Sequence, residues 1–369
     1  MAVRTATPTT GWLTRGKDGR LTAYAPAAGG FTRWTEVRPG GPEWTGPEHF
    51  AVPGLDPYLS IARSAEGYVY LTGVRRREVE TPDGHKRTET DIVYATQFQP
   101  GRSLTPWRSI GTPYGQDWDR AAQVGPPTIV VDSAGPHVFV RNAGGGVCGR
   151  RQDARGIWGP WADLKGSHVL ETLSAAATAE GRVELLATAS EYVLRWRQEE
   201  PGGPLRRVLN TPAKPLAGST SVPVGDGRVA HYWRSAADSA LHTQCADAPT
   251  GAGSEAGAEA PVPAALGSLA TGGTGPVAVL HTTLDDRPCV VLAQRAASGL
   301  PAVAAHPADE AVPAGAAWSE TGETCAGTPA LALDAHDRVV VAAIGADGAL
   351  RVARQEPGAG LSLGEWRRV

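Results

Sequence analysis

The chain has 369 residues with a formal charge of −3 at pH 7, and 41% of its residues are hydrophobic. Its 46 Gly and 30 Pro, set against 6% aromatic residues, indicate many short elements joined by turns rather than long helices. The small net charge excludes the basic surface that nucleic acid or an anionic membrane requires, so neither is expected as a partner.

The amino-terminal segment carries no recognisable targeting signal. Residues Met1 to Thr10 lack the apolar core of a signal peptide. No run in the chain approaches the roughly 18 apolar residues that a membrane helix needs. The expected location is therefore cytoplasmic.

A strand–turn–strand unit recurs along the chain. Its first marker is a small turn followed 17 or 18 residues later by Gln, with an apolar strand, a Gly or Ser turn and a second strand between them. In the third unit the two strands are His137 to Val140 and Val147 to Arg151. The pairs of turn residue and Gln are Gly135 with Gln152, Gly181 with Gln198, Gly227 with Gln244, and Asp337 with Gln355.

The second marker is a Trp that opens the short last strand of a unit. Two units lack this Trp and end near Val208 and Ala264, which gives steps of about 50 residues along the chain. Two roles are open for the indole: it fills the gap between adjacent sheets, or it stacks on the C–H face of a sugar ring. The repeated residues are Trp34, Trp107, Trp161, Trp318 and Trp366.

Seven units of four short strands predict an all-β fold, a seven-bladed β-propeller with four-stranded antiparallel blades in a single domain. A solenoid of sheets is the alternative, although solenoid repeats are usually shorter. The first unit has a weak opening strand, so either Ala2 to Thr7 supplies it or the two termini share strands. The expected units are residues 1–37, 55–110, 121–166, 170–210, 217–266, 274–320 and 327–369.

Three irregular stretches are expected on one rim of the propeller, above units one to three. Arg38 to Asp56 is interpreted as a linker, Arg75 to Glu89 as a lengthened hairpin with its tip at Asp83 and Gly84, and Gly111 to Gln123 as a second linker. Loops that build a wall on one side of a rigid scaffold predict a concave binding site. Its expected aromatic contacts are Trp44, Tyr114 and Trp118.

The same loops carry the candidate acid/base groups. If the protein is an enzyme, Glu48, His49, Asp117 and Asp119 form the expected set, because imidazole titrates near neutrality and carboxylates accept protons. The reaction would then be of a lyase or cyclase type on a small molecule. No metal or cofactor is predicted, because the four Cys form no CxxC pair and no P-loop, HExxH or GxSxG motif occurs.

The segment from Pro136 to Gln152, continued by Trp158 to Gly166, resembles the repeat of seven-bladed bacterial lectins of the Photorhabdus lectin type. It is more distantly similar to tectonin and fungal fucose-lectin repeats, and the last unit of the chain is similar to it. This resemblance implies pockets for sugars, often fucose or O-methylated sugars, between neighbouring blades beside the repeated Trp. The implied contacts are Trp34, Trp107, Trp161, Trp318 and Trp366.

The sequence leaves more than one function open. The first hypothesis is a lectin-like propeller that binds a carbohydrate or another small polar ligand. The alternative is a single-site, metal-independent enzyme acting at the rim over units one to three, and a protein-interaction scaffold is the third. Degenerate repeats and a lopsided rim favour one site, whereas a lectin is expected to keep several equivalent pockets.

Overall fold

The chain folds into seven separate antiparallel sheets arranged in a ring. The computed structural model describes residues 9–80, 84–225, 227–245, 263–266, 272–308 and 316–369. Within each sheet the four strands follow chain order, so each strand pairs with its neighbours in sequence. The prediction of an all-β, seven-bladed β-propeller with four-stranded blades is therefore confirmed.

The blades are numbered in chain order. Blade 1 consists of β1 (Leu13–Arg15), β2 (Leu21–Ala27), β3 (Gly30–Glu36) and β4 (Trp44–Ala51). Blade 2 consists of β5 (Ser60–Arg63), β6 (Val69–Glu80), β7 (Lys86–Gln97) and β8 (Arg108–Gly111). The helix α1 (Trp118–Ala121) follows, and blade 3 consists of β9 (Thr128–Val131), β10 (Pro136–Arg141), β11 (Val147–Arg151) and β12 (Ala162–Lys165).

The remaining four blades repeat this plan. Blade 4 consists of β13 (Val169–Ala177), β14 (Val183–Ala189), β15 (Tyr192–Gln198) and β16 (Leu205–Arg207), and the short β17 (Thr211–Pro212) also pairs with β15. Blade 5 consists of β18 (Pro215–Val224), β19 (Arg228–Ser235), β20 (Leu241–Cys245) and β21 (Ala264–Ala265). Blade 6 consists of β22 (Gly273–Leu284), β23 (Arg287–Ala296), β24 (Pro301–Pro307) and β25 (Ser319–Glu320). Blade 7 consists of β26 (Ala330–Leu333), β27 (Val339–Ile344), β28 (Leu350–Arg354) and β29 (Arg367–Arg368).

The hydrophobic core lies between the blades. Buried Val, Leu, Ala and aromatic side chains form a separate cluster at each of the seven interfaces between neighbouring sheets. Each inner strand therefore has both of its faces against other blades, which suits the apolar runs of the sequence. Among the described residues, no helix is long and apolar enough to cross a membrane.

The repeated Gln fastens the loop between the third and fourth strands of a blade. The side-chain amide nitrogen of Gln198 donates to Gly203 O at 2.8 Å, while its Oε1 accepts from the backbone N–H of Val183 at 2.7 Å. Gln355 makes the same two bonds in blade 7, to Gly360 O and from Val339 N. In blades 4 and 7 the spacing seen in the sequence thus reflects this pair of hydrogen bonds.

Replacing Gln198 with Ala is expected to lower the free energy of unfolding by about 2 kcal/mol, because two backbone groups lose their partner and Val183 N is buried. The urea midpoint of the variant measures this loss. Gln152 offers a control, since its half-buried side chain bonds to Gly156 O at 2.7 Å and its loss should cost less. Equal costs for the two variants would contradict this role of Gln198.

Blade 1 corrects two sequence-based expectations. Trp34 lies inside β3 and is buried, so it does not open a last strand. The residue that does so is Trp44, the first residue of β4, and the segment from Arg38 to Asp56 is therefore not only a linker. Pro47 hid this strand in the sequence. A Pro is tolerated here because β4 is the outer edge of its sheet, where a missing N–H breaks no ladder.

The ring closes through contacts between blades 1 and 7, and no strand is shared between the termini among the described residues. The indole N–H of Trp12 donates to Thr328 O at 3.1 Å, and Arg15 donates to Asp334 O at 2.7 Å. Glu36 accepts from Arg354 at 2.5 Å across the same interface. The segment Ala2 to Thr7, considered as an alternative strand, lies outside the described residues.

The loops over blades 1 to 3 meet on one rim. The β6–β7 hairpin is lengthened to twelve residues in each strand, as predicted, although Asp83 at its expected tip is outside the described residues. Residues 52–59 run against it, with Asp56 N donating to Val74 O at 2.8 Å. Trp44 lies at the other end of its sheet, because it pairs with Glu36 at the end of β3. The expectation that Trp44 joins this rim was therefore wrong.

Candidate functional site

A groove of about 570 Å³ opens on this rim between the β6–β7 hairpin and the linker that leads to blade 3. The first residues of β7 form one side of it, and the α1 region forms the other. Cationic, amide, carboxylate and indole groups therefore face one space. The lining residues are Lys86, Arg87, Thr88, Gln116, Asp117, Trp118, Asp119 and Ala122.

Local hydrogen bonds fix the side of the groove that carries the indole. Asp117 caps α1, since its Oδ1 accepts from Arg120 N at 3.2 Å. Arg76 of the hairpin donates to Ala122 O at 3.0 Å and to the Asp56 carboxylate at 3.0 Å. These contacts join the hairpin, both linkers and α1, so Trp118 is presented from a braced turn rather than from a free loop.

Tyr114 supports the groove but does not line it. Its hydroxyl accepts a hydrogen bond from Ala143 N at 2.7 Å, which ties the linker to blade 3. The guanidinium of Arg120 lies 5.9 Å from the centre of the Tyr114 ring. Tyr114, predicted as a ligand contact, thus instead holds in place the turn that carries Trp118 and Asp119.

The four candidate acid/base groups are not brought together at the groove. Asp117 and Asp119 line it, but Glu48 and His49 do not. Those two lie on the edge strand β4, where Glu48 forms an ion pair with Arg33 at 2.5 Å and His49 pairs with Thr32 in the ladder. Because β4 belongs to blade 1 and α1 follows blade 2, the structure does not assemble the expected catalytic set.

The repeated Trp residues lie at the interfaces between blades. Trp107, Trp161, Trp318 and Trp366 each directly precede the outer strand of their blade, as predicted. Each is half-buried and packs into the cluster shared with the preceding blade. The indole N–H of Trp161 donates to Ile110 O of blade 2 at 3.3 Å, and that of Trp366 donates to Thr321 Oγ1 at 3.0 Å. Their geometry therefore supports the packing role.

In blade 5 the residue directly before the outer strand β21 is Pro263 instead of Trp. A second groove, of about 300 Å³, lies there between blades 4 and 5. Trp233 and His242 stack in its wall with ring centres 6.3 Å apart, and Lys214 adds a cation. The apolar cluster at this interface has only three buried members among the described residues, which explains why the gap remains.

The sequence analysis placed the hairpin from Arg75 to Glu89 on this rim but did not name the residues with which it lines the groove. Lys86, Arg87 and Thr88 belong to β7, about 30 residues before α1, and no local motif links the two segments. The one available signal was the density of charged residues in a strand that lengthens beyond the blade. Such residues cannot be buried between sheets, so they mark a part of the hairpin that stands above the ring.

The fold defines the chain as a seven-bladed β-propeller. No protein-family model and no curated protein matches it. Among solved structures it is similar to the BP39L lectin from Burkholderia pseudomallei, with a TM-score of 0.64, 12% identity and coverage of 98% of both chains. It is also similar to AofleA from Arthrobotrys oligospora, with a TM-score of 0.51, 10% identity and coverage of 84% of this chain and 86% of that chain. At such identities the similarity shows a shared fold.

Proposed function

We propose that the protein is a lectin-like propeller that binds a carbohydrate in the groove beside α1. The observation that carries this proposal is the meeting of the Trp118 indole with the carboxylates of Asp117 and Asp119 in one open cleft. An indole stacks on the C–H face of a sugar, and carboxylates accept hydrogen bonds from its hydroxyls. The name of the similar propeller from Burkholderia pseudomallei, a lectin, supports the same class of ligand.

The arrangement favours one site for each chain. The groove depends on the lengthened β6–β7 hairpin and on α1, and both are features of the sector around blade 2 rather than of the repeat. The repeated Trp residues are packed between blades, where much of each indole is withdrawn from a ligand. Equivalent sugar pockets beside each Trp, as the resemblance to bacterial lectins implied, are therefore not the form of binding that we propose.

A glycan array followed by calorimetry tests the proposal. We expect one class of glycan to bind with about one site per chain, and Trp118→Ala to weaken the binding at least about tenfold because the stacking surface is lost. Tyr192→Ala is the matched control, since Tyr192 is an exposed aromatic residue on β15, away from the groove. The Tyr192→Ala variant should bind the glycan with the same affinity as the parent protein.

Three outcomes oppose the proposal. If no glycan on the array binds, the protein is not a lectin of this kind. If a glycan binds but Trp118→Ala leaves its affinity unchanged, the site lies elsewhere. A stoichiometry of several sites would point to the repeated Trp positions instead. Thermal unfolding of Trp118→Ala should match that of the parent protein, which separates loss of the ligand contact from loss of the fold.

A further inference from the structure

A chain of hydroxyl, imidazole and carboxylate groups lies between blades 4 and 5. Ser174 Oγ is 2.8 Å from Ser221 Oγ, and Ser221 Oγ is 2.8 Å from His231 Nδ1. His231 Nε2 is in turn 3.3 Å from Glu184 Oε2, and Arg195 is 3.4 Å from the same oxygen. These residues come from β13, β14, β15, β18 and β19, so only the packing of two blades brings them together.

The charges fix the direction of the hydrogen bonds. Burial opposes ionisation of Glu184, but the hydrogen bond from His231 and the charges of Arg195 and Arg197 hold its pKa below the usual value. Burial lowers the pKa of His231, and the charge of Arg195 adds to this effect. A neutral imidazole beside a carboxylate donates from Nε2, which leaves Nδ1 free to accept the Ser221 proton. Ser221 is therefore aligned to lose its proton to His231.

Two members of this chain, Ser174 and Ser221, reach open space, and Ser221 is the one that contacts the imidazole. It lines a chamber of about 160 Å³ at the centre of the ring, bounded by the inner strands of blades 2 to 6. His231 is 0% exposed and lies behind it. The buried hydroxyl of Thr172 lines the same chamber and has no hydrogen-bond partner in the described part of the chain. A small molecule in the chamber would thus meet the Ser221 hydroxyl, whereas the Thr172 oxygen itself is buried.

We propose that Ser221, His231 and Glu184 form a nucleophilic triad that hydrolyses small acyl esters in the central chamber. Ser221 is the nucleophile, His231 is the general base, and Glu184 orients the imidazole. The usual roles of the two ring nitrogens are exchanged, which the chemistry allows because either nitrogen can donate while the other accepts. This site is separate from the groove beside α1, so the proposal does not rest on carbohydrate binding.

The reaction balances with water as the second reactant. Ser221 Oγ forms a bond to the carbonyl carbon of the ester while its proton passes to His231 Nδ1. The bond to the alcohol oxygen then breaks, and His231 returns the proton to that oxygen. Water next attacks the acyl-serine, gives a proton to His231, and releases the acid as Ser221 regains its hydrogen.

Diisopropyl fluorophosphate is the probe for the nucleophile, because it traps an activated serine with loss of fluoride. We expect intact-mass and peptide analysis to show one diisopropylphosphoryl group on Ser221, and Ser221→Ala to take up none. Ser60→Ala is the matched control, since Ser60 lines the same chamber but accepts a hydrogen bond from a backbone group, Ile129 N, at 3.0 Å. Hydrolysis of p-nitrophenyl acetate by the same variants gives the second readout.

Glu184→Gln tests the positioning role. The labelling rate should fall roughly 10²-fold or more, in line with the contribution of general-base catalysis. Because Glu184 raises the pKa of His231 and Arg195 lowers it, the midpoint of the rate against pH should move to lower pH in Glu184→Gln. A structural role alone would not move that midpoint.

The proposal is overturned if the folded parent protein takes up no label, or if Ser221→Ala is labelled and hydrolyses the ester as the parent does. Either result leaves the glycan-binding measurements untouched. Conversely, a protein that binds no glycan but is labelled at Ser221 would refute the lectin proposal alone. Circular dichroism of each variant confirms that a lost reaction does not reflect a lost fold.

Discussion

Replacing Glu36 with Ala is expected to lower the free energy of unfolding by about 3–5 kcal/mol, because the change leaves the partly buried Arg354 without its closest partner and the buried backbone N–H of Leu21 without an acceptor. Glu36 is 0% exposed and accepts from the backbone N–H groups of Leu21 at 2.8 Å and Gly40 at 3.2 Å. Its second oxygen accepts from Arg354 of blade 7. One carboxylate therefore joins two strands of blade 1 to the last blade, and urea unfolding followed by Trp fluorescence measures its loss.

Two further variants isolate the ring-closing contact. Glu36→Gln should cost less than Glu36→Ala, because an amide keeps the acceptor that Gln198 and Gln355 supply in their own blades. Asp337→Asn removes an ion pair with Arg15 across the same interface, but Asp337 is 76% exposed and should contribute no more than about 1 kcal/mol. A Glu36→Ala variant as stable as Asp337→Asn would show that the ring does not depend on the buried pair.

The fold could be predicted because the repeat depends on contacts between residues that are close in the sequence. The side-chain amide of Gln198 reaches back to Val183, just after the positive-φ turn at Gly181. This contact requires a fixed number of residues between the turn and Gln198. The spacing is therefore kept even where the apolar residues vary. Blade 2 keeps the same device in Gln97, which donates to Arg102 O at 2.8 Å. Its long hairpin moves Gln97 away from the preceding turn, which is why the spacing rule did not detect it.

Blade 1 shows where local pattern fails. Trp34 and Trp44 are both followed by Thr, so the two segments look alike in sequence. Only the pairing of Glu36 with Trp44 reveals which is the outer strand. In place of Gln the blade uses Glu36, whose negative charge makes sense only beside Arg354, more than 300 residues later. Strand identity here is thus decided by tertiary contacts that no window of sequence contains.

The two candidate sites also differ in whether local sequence could reveal them. Asp117, Trp118 and Asp119 were predicted from one loop, because aromatic and carboxylate residues concentrate there, and they do line a groove. His231, in contrast, is fully buried between blades. Its alignment with Ser221 and Glu184 depends on the register of three strands in two blades. That register is set by packing, so no motif of the serine-hydrolase kind could have pointed to it.

Truncating Trp196 to Ala is expected to be among the most destabilising substitutions in the ring, at about 3–5 kcal/mol. Blade 4 has no Trp before its outer strand, and Trp196 on β15 fills the interface with blade 3 instead. Trp196 is 1% exposed, and its indole N–H donates to Leu164 O of blade 3 at 2.9 Å. The corresponding bond in blade 3 runs from Trp161 to Ile110 O. The midpoint of urea unfolding reports the loss.

Changing Trp to Phe separates the hydrogen bond from the packing. Trp196→Phe keeps most of the ring but leaves Leu164 O without its donor, whereas the indole N–H of Trp318 has no partner among the residues that the structure describes. Trp196→Phe should therefore cost about 1 kcal/mol more than Trp318→Phe. Equal costs would mean that the indole of Trp196 stabilises the interface by filling volume alone. A larger cost at Trp196 would show that its hydrogen bond to blade 3 adds to the contribution of packing.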